Sequence, residues 1–302
     1  MVKESQEGPR WGVQRRLEFI DFRLFWDGRF NRSDLSQTFG ISAQQASSDI
    51  AQYLAKAPTN LVYNAGAKAY LRTSTYEPAM LHASAERYLL QLVAIENRWM
   101  SQSDTWFDEV PPIENAGLLR KRTDASVLLR LLDAIKQHCE IDLSYASITG
   151  SPEPGRTIAP HALFYAAGRW YVRGWSRDHA DFRDYNLFRI AAVGESRPSS
   201  VDSALDFEWA HTTNLELIPN PALSTTQQAA VAAEYEMTEG VRRVPARLSL
   251  TFYIMTENNL DVDPGILPPG KQQLMLVNRN DVVSAREAAR RLSKEALARI
   301  TE

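Results

Sequence analysis

The stretch Ser33-Asp34-Leu35-Ser36-Gln37-Thr38-Phe39-Gly40-Ile41-Ser42-Ala43-Gln44-Gln45-Ala46-Ser47-Ser48-Asp49-Ile50-Ala51-Gln52-Tyr53-Leu54-Ala55-Lys56-Ala57-Pro58 decides how the first part of the chain folds. Ser33 is a suitable N-cap, Leu35 and Phe39 supply a buried face, and Gly40 stands where a helix C-cap requires positive φ. Ile41 leads into Ser42-Ala43-Gln44-Gln45, a Ser-x-x-Gln capping box that opens a second helix. That helix runs to about Ala57, before Pro58. Its Ala46, Ile50, Tyr53 and Leu54 recur on an inward face, which leaves Gln44, Gln45, Ser47, Ser48 and Gln52 outward. Two helices joined by a short Gly-containing turn make a helix-turn-helix.

Upstream, Val13, Leu17, Phe19, Ile20, Leu24 and Phe25 recur at helical spacing, and the run stops at Asp27-Gly28. Downstream the period changes. Leu61-Val62-Tyr63-Asn64 and Lys68-Ala69-Tyr70-Leu71-Arg72 are strand-like and flank the turn Ala65-Gly66-Ala67, so a wing follows the helices. Residues 1–77 are thus expected to form a winged helix-turn-helix.

Charge agrees with that reading. The chain carries 34 Lys+Arg against 37 Asp+Glu, net −3, which argues against coating nucleic acid by bulk charge. Residues 1–75, however, hold 10 Lys+Arg and 7 Asp+Glu and are net +3. The acidic excess lies in residues 76–120 (net −4) and 196–302 (net −3). The second helix is expected in the major groove of double-stranded DNA. Gln44 and Gln45 would read base edges, since Gln pairs with adenine in a bidentate geometry. Ser42, Ser47, Ser48 and Gln52 share the exposed face. This face has no Arg or Lys before Lys56, so phosphate contacts fall to Arg29, Arg32, Lys68 and Arg72. The competing reading is a winged helix used for protein contacts.

At 302 residues the chain is expected to hold two or three domains, at roughly 100–200 residues each. Cys139 is the one cysteine and cannot form an intramolecular disulfide. The polar start lacks the apolar run of a signal peptide, and no apolar stretch is long enough to span a membrane. A cytoplasmic protein without membrane contact is expected. The histidines are scattered without ligand spacing, so no metal site is expected. No Walker loop, His-Glu-x-x-His or Gly-x-Ser-x-Gly occurs, and Asp261 and Asp263 flank a Pro-Gly turn as solvated loop residues. An enzyme, a catalytic residue or a cofactor is therefore not expected.

Residues 78–138 are read as a helical linker and dimerisation region. One long helix is expected over 78–103, with an apolar stripe from Leu89 to Met100, and another over Ala125–His138, separated by a connector that Pro111-Pro112 keeps from being helical. From Glu140 the chain turns β-rich: Ile141–Tyr145 alternates, Gly150–Arg156 is a polar loop, and Arg169–Trp175 and Phe182–Ile190 are further strands. After Pro198 come strands Arg247–Met255 and Gln272–Val277. A closing helix Asp281–Ile300 carries Ala285, Ala288, Ala289 and Leu292 as a packing stripe. The fold class expected is multidomain α+β, with a central domain at 139–197 and a small α/β extension at 198–302.

The central region carries Tyr145…Arg156-x-Ile158-x-Pro160-His161-x-Leu163…Gly168-Arg169-Trp170-Tyr171-Val172-Arg173-Gly174-Trp175…Phe182-Arg183-x-Tyr185-x-Leu187-x-Arg189-Ile190. This string resembles a WYL domain, with Val172 in place of the naming Leu and Asn186 where many members have a second Arg. The order of parts is similar to bacterial WYL transcription factors, especially the BrxR/CapW group of repressors beside antiphage defence operons. The resemblance implies an Sm-like β-barrel that senses a nucleic-acid or nucleotide-like effector. It further implies a homodimer on an inverted-repeat operator, control of a neighbouring defence operon, and an extension that helps join protomers.

On this sequence the candidate effector contacts are Ser144, Tyr145, His161, Tyr171, Arg173, Arg183 and Arg189. Arg183 and Arg189 differ by an even number, so in one uninterrupted strand they would share a face with Tyr185 and Leu187. Guanidinium groups beside aromatic rings suit a phosphate-bearing, stackable ligand. Against this, Arg183 and Arg189 could pair with Asp142, Asp181 or Asp184, His161 could be a turn residue, and Trp170 and Trp175 are expected in the core. Two rivals to a repressor use the same parts: a single-strand nucleic-acid accessory module, and a transcriptional activator.

Overall fold

A computed structural model describes residues 8–117, 122–148 and 155–301, and the chain divides into two compact units, residues 1–119 and 120–302. Among the described residues no helix is long and apolar enough to cross a membrane.

In the first unit, α1 (Gly8–Trp26) is followed by β1 (Arg29–Phe30), α2 (Arg32–Phe39), α3 (Ala43–Lys56), β2 (Leu61–Asn64) and β3 (Ala69–Arg72). The strands form an antiparallel sheet in the order β1-β3-β2. Leu17, Ile20 and Leu24 of α1 are buried against Leu35 of α2 and Ala46, Ile50 and Tyr53 of α3. The turn between α2 and α3 depends on Gly40, which at φ 62° closes α2 by donating its N–H to Ser36.

The cap of α2 differs from the expectation. Asn31, not Ser33, is the N-cap: its side chain accepts from the Asp34 N–H while the Asp34 carboxylate accepts from the Asn31 N–H. At the start of α3 only half of the expected box forms. The Ser42 hydroxyl accepts from the Gln45 N–H at 3.1 Å, but the Gln45 amide donates to Asp49 at 3.0 Å instead of turning back. A buried carboxylate one helical turn away is the stronger acceptor.

The long helix expected over 78–103 is replaced by a shorter one, α4 (Ala85–Glu96), capped by Ser84. The backbone N–H groups of Ala79, Met80 and Leu81 all donate to the Asp21 carboxylate, so this segment cannot enter a helical ladder. At the other end Arg98 adopts φ 58° and the Trp99 N–H returns to the Ala94 carbonyl, a Schellman-type closure.

The second unit opens with α5 (Ala125–Gln137), followed by β4 (Cys139–Tyr145), β5 (Gly155–Ala166), β6 (Arg169–Ser176), β7 (Asp181–Asn186) and β8 (Ile190–Pro198). These strands make one antiparallel sheet in the order β7-β6-β5-β4-β8, and among the described residues no pairing joins β7 to β8. Val127, Leu131 and Ala134 of α5 pack on Ile141, Leu143, Ile158 and Val172, so one face of the sheet is closed by the helix. Gly174 allows β5 and β6 to approach: an added Cβ would lie 2.6 Å from the Ala159 carbonyl oxygen. Most of the expected loop at Gly150–Arg156 lies outside the described residues, and Gly155 and Arg156 already belong to β5.

Two expectations for this sheet are corrected. Phe182–Ile190 is not one strand, because Asn186 ends β7 and its side chain caps a 3-10 turn over Leu187–Arg189 by accepting from the Phe188 N–H. Trp170 is not in the core but 47% exposed on the β5–β6 hairpin, against Tyr165.

The remainder comprises α6 (Phe207–Ala210), β9 (Thr212–Pro219), α7 (Thr225–Glu234), β10 (Arg242–Arg247), α8 (Leu248–Glu257), β11 (Leu274–Leu276) and α9 (Arg279–Thr301), with an antiparallel sheet β10-β9-β11. The strand expected over Arg247–Met255 is therefore corrected to a helix. Leu248, Ser249, Thr251 and Met255 are its buried positions, and the spacing of Leu248, Thr251 and Met255 by three and four is that of a helix face. On α9 the buried positions are Val282, Ala289, Ser293 and Leu297, while Leu292, expected in the packing stripe, is exposed.

Candidate DNA-reading helix and sensor site

Burial of Ala46, Asp49, Ile50 and Tyr53 fixes which side of α3 faces solvent. Ser42, Gln44, Ser47, Ser48 and Gln52 are exposed along it. Asp49 sits beneath, fully buried, and takes a bidentate pair from Arg16 at 2.7 and 3.1 Å. Gln45 is half-buried and tethered to the same carboxylate.

The expected phosphate contacts divide. Arg32 lies beside α3, its guanidinium 3.3 Å from the Ser47 hydroxyl. Lys68 is exposed in the wing turn at φ 50°. Arg72 is turned back to the Phe25 carbonyl at 2.6 Å, and Arg29 lies 3.9 Å from Asp108. Sequence reasoning passed over Val62 and Tyr63, exposed apolar side chains on the wing strand β2, although the strand's alternation could have marked one of them.

The candidate effector residues fall on two faces of the sheet. On the α5 face, the Tyr145 hydroxyl accepts from the Asn186 N–H at 3.3 Å, and its ring meets Tyr185 edge-on at 5.1 Å. The Tyr185 hydroxyl donates to Ser176 at 2.8 Å, and Ser176 lies 3.0 Å from His179 Nδ1. Burial, then Arg183 and Arg156, holds His179 below its ordinary range. Ser144 alternates to the other face from Tyr145. Arg189 sits in the 3-10 turn, where its carbonyl accepts from the Ala146 N–H, so it does not share a strand face with Arg183. Ser176, His179 and Tyr185 were not among the predicted contacts; the even spacing of Tyr185 from Arg183 was the available signal.

On the opposite face, His161 Nε2 lies 2.9 Å from Asp206, and Tyr171 stacks on Phe164 at 4.9 Å. Arg173 is 3% exposed and donates to Asp206 at 2.6 and 2.9 Å, to Asp184 at 2.9 Å and to Glu208 at 3.2 Å. Burial alone would raise the Asp206 carboxyl, but the bonds from His161 and Arg173 outweigh it and hold it below its ordinary range. The extension closes around this cluster: Tyr253 of α8 donates to Asp184, and Arg286 and Arg290 of α9 reach Glu208 and Asp181. The alternative partners considered for Arg183 and Arg189 are all taken, Asp142 by Arg197, Asp181 by Arg290 and Asp184 by Arg173.

A winged helix, an antiparallel sheet with polar side chains on both faces and an α/β extension define a multidomain regulator of the WYL class. Family models agree domain by domain: a BrxR transcriptional regulator winged helix-turn-helix domain matches residues 12–94, a WYL domain 126–194, and a BrxR transcriptional regulator C-terminal dimerization domain 212–282. The DNA-binding transcriptional repressor CapW of Pseudomonas aeruginosa is 34% identical over 285 residues, spanning 93% of this chain and 94% of that protein. CapW of Escherichia coli (strain KTE188) is 31% identical over 280 residues, with 93% and 94% covered. CapW of Stenotrophomonas maltophilia is 33% identical over 286 residues, with 93% and 95% covered. The chain belongs to the CapW/BrxR family.

Proposed function

We propose that the chain is a DNA-binding transcriptional repressor that works in the cytoplasm as a homodimer on an inverted-repeat operator, controls a neighbouring phage-defence operon, and is released by a nucleic-acid or nucleotide-like effector. The observation that carries this reading is α3, with an exposed row of hydrogen-bonding side chains at its capped N-terminal end and a fully buried opposite face. That is the arrangement a recognition helix requires. The names of the CapW relatives support DNA binding and repression, and the dimerization domain supports a two-fold protein that reads a two-fold site.

In this reading Ser42, Gln44, Gln45, Ser47, Ser48 and Gln52 face bases, and Arg29, Arg32, Lys68 and Arg72 face phosphates. The five-stranded sheet corresponds to an Sm-like barrel, and Ser144, Tyr145, His161, Tyr171, Arg173, Arg183 and Arg189 contribute to effector binding. Functional boundaries fall at residues 77, 138 and 197. A gel shift with the DNA upstream of the chain's own gene tests it. Specific retardation of an inverted repeat at moderate salt is expected, and its absence overturns the repressor. Deleting the gene should raise a reporter fused to that DNA; a fall would make the protein an activator.

A further inference from the structure

We propose that Arg32 reads a guanine edge in the operator, one or two base pairs from the pair that Gln44 reads. This rests on the DNA-binding reading above and moves one side chain within it from the phosphates to the bases. The line of α3 opposite its buried side is Gln44, Ser48, Ala51 and Ala55, all exposed and none of them cationic. Only Gln44 is long enough to pair with a base at two points, and its amide suits adenine. The two alanines let the helix come close to the bases without reading them. Guanine, with acceptors at N7 and O6, is matched instead by the planar fork of an arginine.

Arg32 brings that fork from the neighbouring helix. It is the first residue of α2, whose start is fixed by the capping box of Asn31 and Asp34. Its side chain crosses to α3, where Nη1 donates to the Ser47 hydroxyl at 3.3 Å. That hydroxyl gives its own proton to the Ala43 carbonyl at 2.9 Å, which leaves a lone pair to accept from Arg32. Ser47 lies one helical turn from Gln44, about 5–6 Å between Cβ atoms, and two base-pair steps of about 3.4 Å span that distance. The bond to Ser47 uses one donor, so Nε and Nη2 are left for a base. Arg32 is exposed and makes no ion pair among the described residues. Arg16, Arg29 and Arg72 are by contrast turned to Asp49, Asp108 and the Phe25 carbonyl. A phosphate needs only a nearby charge, whereas a bidentate base contact needs a guanidinium whose position is set, and Ser47 sets it on the surface of the reading helix.

The test uses the full-length protein and fluorescent duplexes that carry the inverted repeat upstream of its own gene, titrated by anisotropy at several salt concentrations. Each guanine of the half-sites is replaced in turn by 7-deazaguanine, which lacks the N7 acceptor. Wild type should lose at least about tenfold at one guanine of each half-site. Arg32→Ala should lose a similar factor on the unmodified repeat and nothing further at that guanine, with little change in salt slope. Arg32→Lys keeps the charge without the fork and should behave likewise. Ser47→Ala should lose about threefold at the same guanine, because the guanidinium is no longer held. Thermal midpoints should stay at the wild-type value, since Arg32 and Ser47 are exposed; if the alanine variant of Arg32 falls, the lysine variant decides. An Arg32→Ala variant that weakens every duplex equally and lowers the salt slope by about two, one phosphate per protomer, makes Arg32 a phosphate contact and overturns the proposal. Unchanged affinity overturns it as well. Either outcome removes Arg32 alone, whereas wild type that binds the repeat no better than an unrelated duplex overturns the DNA-binding reading and this assignment together.

Discussion

Each unit contains a buried charge that ties several elements together, and the two are satisfied in opposite ways. Asp21 of α1 is fully buried. It accepts from the Tyr53 hydroxyl of α3, from the Tyr76 hydroxyl at 2.8 Å, and from the backbone N–H groups of Ala79, Met80 and Leu81 at 2.7 to 2.8 Å. All of these partners are neutral. Burial, followed by the bonds to Asp21, pushes the Tyr76 hydroxyl well above its ordinary range, so it stays a donor. Arg173 is as deeply buried, but its partners are carboxylates from β7 and from the segment carrying α6. The backbone donors do not titrate and the Tyr53 and Tyr76 hydroxyls are held neutral well above the ordinary tyrosine range, while the carboxylates around Arg173 can be protonated as the pH falls. The DNA-binding unit is thus locked by neutral donors, and the joint between the five-stranded sheet and the extension is made of charged pairs.

The largest expected effect tests the lock. Asp21→Ala leaves three backbone N–H groups and the Tyr53 hydroxyl without acceptors, the Tyr76 hydroxyl keeping only the backbone carbonyl of residue 21 at 3.1 Å, and should cost at least about 4 kcal/mol. Urea unfolding followed by tyrosine and tryptophan fluorescence measures it. Asp21→Asn, which keeps one acceptor, should cost visibly less. A loss under about 1 kcal/mol for the alanine variant would break the comparison, because the five bonds would then be of little consequence.

Arg173→Met should come next, at about 3 kcal/mol, since it strands Asp206, Asp184 and Glu208 without their shared cation. Its signature is in the pH dependence. Asp206 is held below its ordinary value of 3.8, so its contribution is complete above that value and is lost as pH falls further. In the variant the carboxylates are desolvated without compensation, and acidification should stabilise it instead. Unfolding midpoints taken across the acid range separate the two slopes.

The lock was more legible in the sequence than the joint. Gly40, Ser42 and the periodicity of Ala46, Ile50 and Tyr53 are local signals, and they suffice to place α2, the turn and α3. Local signals also mislead: Thr251, Phe252, Tyr253 and Ile254 are strand formers, yet packing of Leu248, Thr251 and Met255 makes α8 a helix. The Asp21 bonds to 79–81 span nearly 60 positions and leave no periodic trace, so α4 was read too long. On the five-stranded sheet, even spacing put Arg183 and Arg189 on one strand face, but Asn186 caps a turn between them. The carboxylates around Arg173 come partly from Asp206 and Glu208, beyond the boundary expected at 197.

A third measurement asks whether the same distinction between free and tethered groups holds on α3. Gln44 is exposed, whereas Gln45 donates to Asp49. Gln44→Ala should weaken operator binding by about 2 kcal/mol if it makes a bidentate base contact. Gln45→Ala should cost less than about 1 kcal/mol, because Arg16 continues to hold Asp49. Operator titrations by fluorescence anisotropy compare them, and equal losses would mean that the tether to Asp49 does not withhold Gln45 from DNA.

The smallest effect concerns a carboxylate in the first unit that has a cation beside it and is still poorly compensated. Burial raises the Asp27 carboxyl from 3.8 to about 6, and Arg23, 2.7 Å away, offsets this only in part. Arg23 is shared, lying 2.8 Å from Asp108 and 3.5 Å from Asp34. Between pH 3.8 and 6 the folded state keeps a proton that the unfolded chain has released, so stability falls as pH rises through that window. With solvent screening the fall should be about 1 kcal/mol, and Asp27→Asn should flatten it. This slope has the opposite sign to the one expected from Asp206 and lies at higher pH. A single pH series on wild type and the two variants, Asp27→Asn and Arg173→Met, therefore assigns each part of the profile to its own unit. A wild-type profile that does not fall between pH 3.8 and 6 would remove Asp27 as a source of strain in the reading unit.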